Sequence, residues 1–181
     1  MTQKRQKTIS EDIAMKFDPS LVYTESSSPL GPLWLAATDT GLAGMWFVGQ
    51  RHVPDNSDWT RLSNSQQNPM LNAANQQLQA YFAGGLRQFD LPLDLRSGTV
   101  FQQAVWQALL RIPVGETTSY GEISRRIAKP LAIRAVGTAI GRNPISIIVP
   151  CHRVLGSDGS LTGYAGGLDR KLALLQLEGA L

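Results

Sequence analysis

The stretch Ile147-Ile148-Val149-Pro150-Cys151-His152-Arg153-Val154 places the only cysteine of the chain directly beside one of its two histidines. Its apolar first half has β-strand composition, and Pro150 ends it. A lone cysteine is usually a small buried hydrophobe. Here a neighbouring imidazole and guanidinium favour the thiolate, which is the nucleophilic form. Because an unpaired Arg153 is costly to bury, we expect the chain to leave the core at Cys151 and the thiol to act as a nucleophile.

The composition is that of a globular protein with one domain of ordinary size or two small ones. The 181 residues are 43% hydrophobic and 17% charged, and no apolar run is long enough to cross a bilayer. No apolar signal segment follows the basic N-terminus, so we expect a cytoplasmic location, where reducing conditions keep a thiol free. One cysteine excludes an internal disulfide and leaves too few soft ligands for a cysteine-rich zinc site. We therefore expect no metal.

Positive charge is concentrated in one segment of the chain. The net charge is +3, and the residues between Glu122 and Asp158 contain no acid but six basic side chains: Arg125, Arg126, Lys129, Arg134, Arg142 and Arg153. A solvated basic face is the common explanation of such a segment. An acid-free span of this length nevertheless favours a polyanion partner, since phosphate contacts are the main sequence-independent source of affinity for nucleic acid.

The N-terminal half has the pattern of an antiparallel sheet. Residues 1–18 are polar and of mixed charge, which is typical of a mobile leader. Residues 49–68 are rich in Asn, Ser and Gln, so we expect a surface loop there. Between these segments lie three short runs of β-type residues, separated by turn sequences: 21–23, 33–36 and 42–48.

A helix and a domain boundary follow the sheet. Apolar residues at helical spacing predict a helix from Pro69 to Gly84. The segment 91–95 has the composition of an edge strand or a linker, because Pro92 cannot donate to a central ladder. We therefore divide the chain into an N-terminal domain, a linker and a C-terminal domain, over residues 19–89, 90–98 and 99–181.

The C-terminal domain is predicted to be helical, which makes the protein α+β. Apolar stripes predict helices over 99–111 and 169–178. Ser119 and Glu122 match a capping box, so another helix should begin at once and run to about residue 128. After a Lys-Pro break, residues 131–141 form a helix rich in small residues. Two short helices joined by a tight turn are the helix-turn-helix arrangement of DNA-binding proteins, although small residues suit a close contact inside a protein equally well.

Several motifs in the C-terminal domain resemble those of the O6-alkylguanine-DNA alkyltransferases. They occur in order as Arg134-Ala135-Val136-Gly137, Asn143-Pro144, Pro150-Cys151-His152-Arg153-Val154, Gly163-Tyr164-Ala165-Gly166-Gly167 and Leu177-Glu178-Gly179. The Pro-Cys-His-Arg signature is highly specific, whereas residues 1–98 fit the family only by length and by their strand-then-helix pattern. The resemblance implies a C-terminal domain that holds both a helix-turn-helix and the active-site cysteine.

The resemblance also implies a reaction. Cys151 would take the alkyl group from O6 of a guanine flipped out of duplex DNA and keep it, so each molecule would act once. His152 would accept the thiol proton through a water molecule, and Glu178 would orient the imidazole. Tyr120 would polarise the guanine at N3. No cofactor is implied.

Binding roles follow from the same resemblance. Arg134 would fill the gap that the flipped nucleotide leaves in the stack. The other residues expected to contact DNA are Ala135, Gly137, Thr138, Arg142 and Arg153. Those expected to bind the base are Tyr120, Asn143, Val149, Tyr164 and Ala165. Some family members carry a serine where this chain has Ala165, so a contact to O6 there falls to the backbone amide. A plain turn role for Asn143 stays open.

Two other functions fit part of the pattern. A damage sensor would bind the same lesions without reacting and would lack the cysteine, whereas a Cys151-His152-Glu178 hydrolase would turn over many times. The expected partner is double-stranded DNA carrying O6-alkylguanine, bound by a monomeric protein. The sequence leaves open the adduct size, activity on O4-alkylthymine, cooperative assembly on DNA and the contribution of residues 1–98 beyond stability.

Overall fold

A sheet forms the N-terminal half of the computed structural model, which describes residues 15–181. Strands β1 (Val22–Ser26), β2 (Leu33–Ala37) and β3 (Leu42–Phe47) pair antiparallel, as the sequence predicts. A two-residue strand, β4 (Thr60–Arg61), lies within the predicted surface loop and pairs parallel with β1. The sheet order is β3-β2-β1-β4, so the sheet is mixed rather than purely antiparallel.

Helix α1 (Pro69–Phe82) covers one face of this sheet. The side chain of Asn68 caps it by accepting hydrogen bonds from the amides of Met70 and Leu71, and proline at the first helical position needs no partner for its nitrogen. Its apolar stripe, which the sequence predicts, is buried: Leu71, Ala74, Leu78 and Tyr81. Each fully buried leucine contributes about 2 kcal/mol to the free energy of unfolding.

The opposite face of the sheet carries an aromatic cluster that includes part of the predicted leader. The ring of Phe17 packs edge-on against Trp46 at 5.6 Å and Trp59 at 5.5 Å. The amide of Lys16 donates to the carbonyl of Ser97. Residues 16 and 17 of the predicted leader are therefore tied to the rest of the structure, and its first fourteen residues lie outside the described part of the chain.

The segment predicted as an edge strand or linker lies against β3. Leu42 donates to the carbonyl of Pro92 and accepts from the amide of Asp94, at 2.9 and 2.8 Å. Pro92 thus uses only its carbonyl, as its missing N–H requires. The carboxylate of Asp94 is buried and accepts hydrogen bonds from the side chains of Thr38, Thr40 and Arg96.

The C-terminal half contains four α-helices, close to the predicted positions. They are α2 (Val100–Leu109), α3 (Tyr120–Arg126), α4 (Ile133–Gly141) and α5 (Leu168–Leu177). The hydroxyl of Ser119 caps α3 by accepting from the amide of Glu122, as predicted. The carboxylate of Glu122 pairs with Arg125 and Arg126 and does not complete the predicted capping box. Two short strands, β5 (Thr118–Ser119) and β6 (Val154–Leu155), pair parallel.

The apolar stretch before the cysteine is a buried turn, so the strand predicted there is wrong. Ile145 forms one isolated bridge with Met45 of β3, and Ile147 adopts a φ of 71°. The side chain of Asn143 folds the segment by accepting from the amide of Ile145 and donating to the carbonyl of Val149. A short apolar run has no periodicity that separates a strand from such a turn. The turn joins the two halves, because its bridge to β3 places it in the same core.

Helix length also bears on membranes. Among residues 15–181, no helix is both long enough and apolar enough to span a bilayer.

Candidate active site

Cys151 begins a single 3₁₀ turn (Cys151–Arg153) directly after Pro150. The residue is 6% exposed, and its Sγ accepts a hydrogen bond from Nδ2 of Asn143 at 3.1 Å. The same amide donates to the carbonyl of Val149 at 2.7 Å. Asn143 therefore holds the sulfur and closes the turn, and neither it nor the fully buried Val149 faces the cleft described below. The contact of these two residues with the base stays a prediction.

Glu178 is the centre of a buried polar cluster behind the cysteine. The sequence alone indicates a surface residue near the C-terminus, but the side chain is only 1% exposed. Its Oε1 lies 2.8 Å from Nε2 of His152 and accepts from the hydroxyl of Tyr81 at 2.7 Å. The guanidinium of Arg153 donates to both carboxylate oxygens at 2.9 Å. Helix α1 of the N-terminal half thus contributes directly to this cluster through Tyr81.

The hydrogen bonds of Glu178 determine the tautomer of His152. Burial opposes ionisation of Glu178, but hydrogen bonds from His152 and Arg153 lower its pKa to about 2. An ionised carboxylate only accepts, so Nε2 of His152 must carry the proton. Burial lowers the pKa of His152, which keeps the ring neutral. Its Nδ1 is buried without a protein partner among residues 15–181 and can accept a proton.

The resting sulfur is a thiol rather than the predicted thiolate. Burial raises the pKa of Cys151, and the hydrogen bond from Asn143 and the charge of Lys171 only partly oppose this. The neighbouring groups do not supply the positive charge that the sequence suggests, because His152 is neutral and Arg153 is paired with Glu178. Reaction at this sulfur therefore needs a base, and Nδ1 of His152 is the group with a free lone pair.

Arg153 is buried, whereas the sequence predicts that it lies outside the core. Its side chain is 8% exposed, and Nη1 donates to the carbonyl of Ile112 while the rest of the guanidinium binds Glu178. The chain can keep this arginine in the core because the charge is paired. Both the exit from the core at Cys151 and the contact of Arg153 with DNA are therefore corrected.

A cleft of about 540 Å³ opens over Cys151. Seven of the predicted site residues line it together with the cysteine: Tyr120, Arg134, Gly137, Thr138, Arg142, Tyr164 and Ala165. Ala135 is exposed on α4 but is not part of the wall. Two residues from the N-terminal half, Arg51 and His52, also line the cleft, and no motif in the sequence indicates them.

Two tyrosines shape the wall of the cleft. The hydroxyl of Tyr120 donates to the carbonyl of Thr162 at 2.9 Å, and burial raises its pKa, so it stays a donor at neutral pH. The chain passes so close that a Cβ on Gly163 would lie 3.3 Å from this hydroxyl. Tyr164 is 6% exposed, and burial likewise raises its pKa.

Lys171 is a buried residue that the sequence reasoning missed. Its Nζ donates to the carbonyls of Val154, Thr162 and Gly163, at 2.5, 2.7 and 3.1 Å. Burial lowers its pKa to about 8. The side chain thereby ties the strand after the cysteine to the loop that walls the cleft. Helical spacing could have indicated its burial, because Lys171 falls on the buried stripe of α5 with Leu174 and Leu175.

Replacing Lys171 with methionine should destabilise the protein, because one buried and two partly buried carbonyls lose their shared donor. Leaving a buried acceptor unpaired costs about 1–3 kcal/mol, so we expect a loss of about 3 kcal/mol for the group. For a chain of this size that corresponds to a melting temperature about 9 °C lower in calorimetry. Lys129→Met, at an exposed position, is the matched control and should melt within about 2 °C of the original chain. Equal melting of the Lys171 variant and the control would contradict this role.

Comparisons with known proteins define the class to which this fold and site belong. A family model described as "6-O-methylguanine DNA methyltransferase, DNA binding domain" matches residues 100–180. A second, described as "6-O-methylguanine DNA methyltransferase, ribonuclease-like domain", matches residues 21–95. The chain therefore belongs to the 6-O-methylguanine DNA methyltransferase family, as its motifs predict.

Individual relatives cover most of the chain. The methylated-DNA–protein-cysteine methyltransferase of Mycobacterium tuberculosis is 53% identical over 156 residues, which are 86% of this chain and 91% of the relative. The protein of the same name from Methanosarcina acetivorans is 48% identical over 161 residues, 88% and 99% of the two chains. The crystal structure of M. tuberculosis OGT in complex with DNA superposes with a TM-score of 0.80 at 52% identity, covering 88% of this chain and 93% of that one. The predicted α+β fold is confirmed.

Proposed function

We propose that this protein repairs DNA by moving an alkyl group from O6 of guanine to its own Cys151, and that each molecule acts once. The observation that carries the proposal is the thiol at the base of a cleft, backed by a neutral histidine with a free Nδ1 and an ionised Glu178. The names of the relatives, and a relative's structure with DNA, support DNA as the partner and a cysteine as the acceptor.

In the proposed step, Sγ attacks the alkyl carbon in line with the bond to O6. The C–O6 bond breaks, an S–C thioether forms, and guanine leaves with the bonding electrons. The thiol proton passes through a water molecule to Nδ1 of His152, and Glu178 stabilises the resulting imidazolium. The hydroxyl of Tyr120 donates to N3 of the departing base, for which its raised pKa suits it because it stays protonated.

The proposed DNA-binding surface is α3 and α4, which pack against each other across a six-residue connection. Exposed side chains of α4, among them Arg134 and Thr138, lie on the rim of the cleft. The base must leave the duplex to reach Cys151, and unstacking costs a few kcal/mol, less for a damaged base. Arg134 would occupy the vacated place in the stack. A monomeric state and a cytoplasmic location stay predictions.

Stoichiometry separates this function from the two alternatives. The protein is mixed with an excess of duplex DNA containing O6-methylguanine, and intact mass and restored guanine are measured together. We expect each protein to gain one CH₂ and to restore one guanine before activity stops. Many guanines restored per unmodified protein would indicate a hydrolase, and binding with neither change would indicate a sensor; either result contradicts the proposal.

Arg134→Ala should slow repair in duplex DNA far more than reaction with free O6-benzylguanine, because only the duplex requires flipping. If Arg134 offsets about 2 kcal/mol of the cost of unstacking the base, its loss lowers the rate of repair in duplex DNA about 30-fold. Single-turnover rates on the two substrates measure the difference. Arg111→Ala, an exposed arginine outside the cleft, is the control. Equal losses on both substrates would exclude the proposed role of Arg134.

A further inference from the structure

A turn of the N-terminal half reaches across to the reaction cleft. Its residues 49–52 follow β3, with positive φ at Gly49 (82°) and at His52 (62°). The amide of Arg51 donates to the carbonyl of Ala165 at 3.1 Å, and its guanidinium reaches the carbonyl of Tyr164 at 3.4 Å. These bonds fix the turn against the glycine-rich loop, so Arg51 and His52 form part of the cleft wall.

Basic side chains meet at this part of the cleft without acidic partners. Arg51 and His52 are exposed at the rim, and Arg142 at the end of α4 lines the same cleft. In the described part of the chain, none of the three forms a salt bridge. Asp55 and Asp58 line the next cleft with His52 and Arg142, but they too form no ion pair within residues 15–181.

The mutual proximity of these groups has an electrostatic cost. Partial burial lowers the pKa of His52, and the charges of Arg142 and Arg51 lower it further. The two positive charges beside His52, those of Arg142 and Arg51, are stabilised when an anion binds between them. The cluster therefore has the character of an anion site that is incomplete in the protein alone.

The covalent structure of DNA indicates which anion would lie there. A base that enters the cleft to reach Cys151 remains attached to its sugar and to the phosphate on either side. Those phosphates must lie at the mouth of the cleft, where the rim is formed by Arg134 of α4, by Arg142 directly after that helix and by the 49–52 turn.

We propose that the 49–52 turn is a DNA-contacting element of the N-terminal half, in which Arg51 and His52 act with Arg142 to bind a phosphate next to the flipped nucleotide. The inference rests on the proposed function and extends it to residues outside the helix-turn-helix. It assigns to the N-terminal half a role in binding, besides the packing of its sheet.

The salt dependence of binding tests this contact. Affinity for a duplex containing O6-methylguanine is measured in a Cys151→Ser background, so that no transfer occurs. Removing one phosphate contact lowers the slope of log K against log salt by about 0.9. The ratio of the affinity of the Cys151→Ser protein to that of the same protein carrying Arg51→Gln should therefore fall about 3.5-fold between about 50 and about 200 mM salt. Arg51→Lys, which keeps the charge, should restore the slope.

The matched control is Arg61→Gln, an exposed arginine of the same half that does not line the cleft. It should leave the slope unchanged. The proposal is overturned if Arg51→Gln keeps the full slope, or if Arg61→Gln lowers it equally. A full slope in this background, together with slower reaction of an Arg51→Gln chain that retains Cys151 toward free O6-benzylguanine, would mean that Arg51 only positions the cleft wall. Failure of the wild-type chain to gain an alkyl group is a separate result, which contradicts the proposed function and not this contact.

Discussion

Replacing Cys151 with serine should abolish alkyl transfer and leave affinity for alkylated duplex DNA within about twofold of the original chain. Removing a nucleophile of this kind typically lowers the rate by about 10⁴-fold or more. The hydroxyl is a far weaker nucleophile than sulfur, because it ionises only at much higher pH. Binding should persist because the proposed contacts to DNA come from α4 and the cleft rim, not from the sulfur.

Serine is the appropriate substitution because it fits the site. Its smaller oxygen can still accept the hydrogen bond that Asn143 donates to Sγ, so the buried turn keeps its partner. Transfer is followed by intact mass, affinity by titration of a labelled duplex, and folding by calorimetry. A Cys151→Ser protein that still restored guanine would require another acceptor and would contradict the assignment of the nucleophile.

Glu178→Gln should cause the second large effect, on stability and on rate together. The amide keeps a carbonyl for His152 and Tyr81, but it leaves the buried guanidinium of Arg153 without a counter-charge. Breaking one side of a buried ion pair costs about 3–5 kcal/mol, which corresponds to a melting temperature about 12 °C lower for a chain of this size. Transfer should slow by about 10²-fold, because no carboxylate stabilises the imidazolium that forms at His152.

The pH dependence of this stability difference has a definite sign. The pKa of Glu178 is about 2 in the folded protein against a usual value of 4.5, so the ionised group stabilises the fold above pH 4.5. That contribution is lost as the pH falls from 4.5 toward 2, where the carboxyl also protonates in the folded state. The gap in unfolding free energy between the original chain and Glu178→Gln should therefore narrow over this range.

Glu116→Gln is the control for the Glu178 variant, since Glu116 is exposed and forms no ion pair in the described structure. It should melt within about 2 °C of the original chain and transfer at the same rate. A Glu178→Gln protein that matched this control in both measurements would show that the buried cluster has no part in either stability or proton transfer.

Much of the fold could be predicted because its signals are local. The cap at Ser119, the apolar stripe of α1 and the turn sequences between β1, β2 and β3 each depend on residues a few positions apart. The turn at 145–150 could not be predicted in this way. Its shape depends on the side-chain amide of Asn143 and on the bridge from Ile145 to Met45, which lies a hundred residues away in the chain.

The candidate site, like the fold, could be predicted from the sequence only in part. The motifs indicate Cys151, His152 and Glu178, and the structure places Glu178 against His152, the residue next to Cys151. Burial, however, reverses the predicted electrostatics: it raises the pKa of the thiol and lowers that of His152. The sequence neighbours of a residue do not reveal how deeply it is buried. Tyr81 shows this directly, since helical spacing predicts its place in the core but not the contact of its hydroxyl with Glu178.

The chemistry depends on one claim, that a thiol at position 151 displaces guanine from an alkyl carbon. The most direct measurement uses duplex DNA whose O6-methylguanine carries a deuterated methyl group, followed by peptide mass spectrometry of the reacted protein. We predict that the label appears on Cys151 as a thioether, in one copy per molecule, with guanine restored in the DNA. Label on any other residue, or restored guanine with the label released to solvent, would contradict the account.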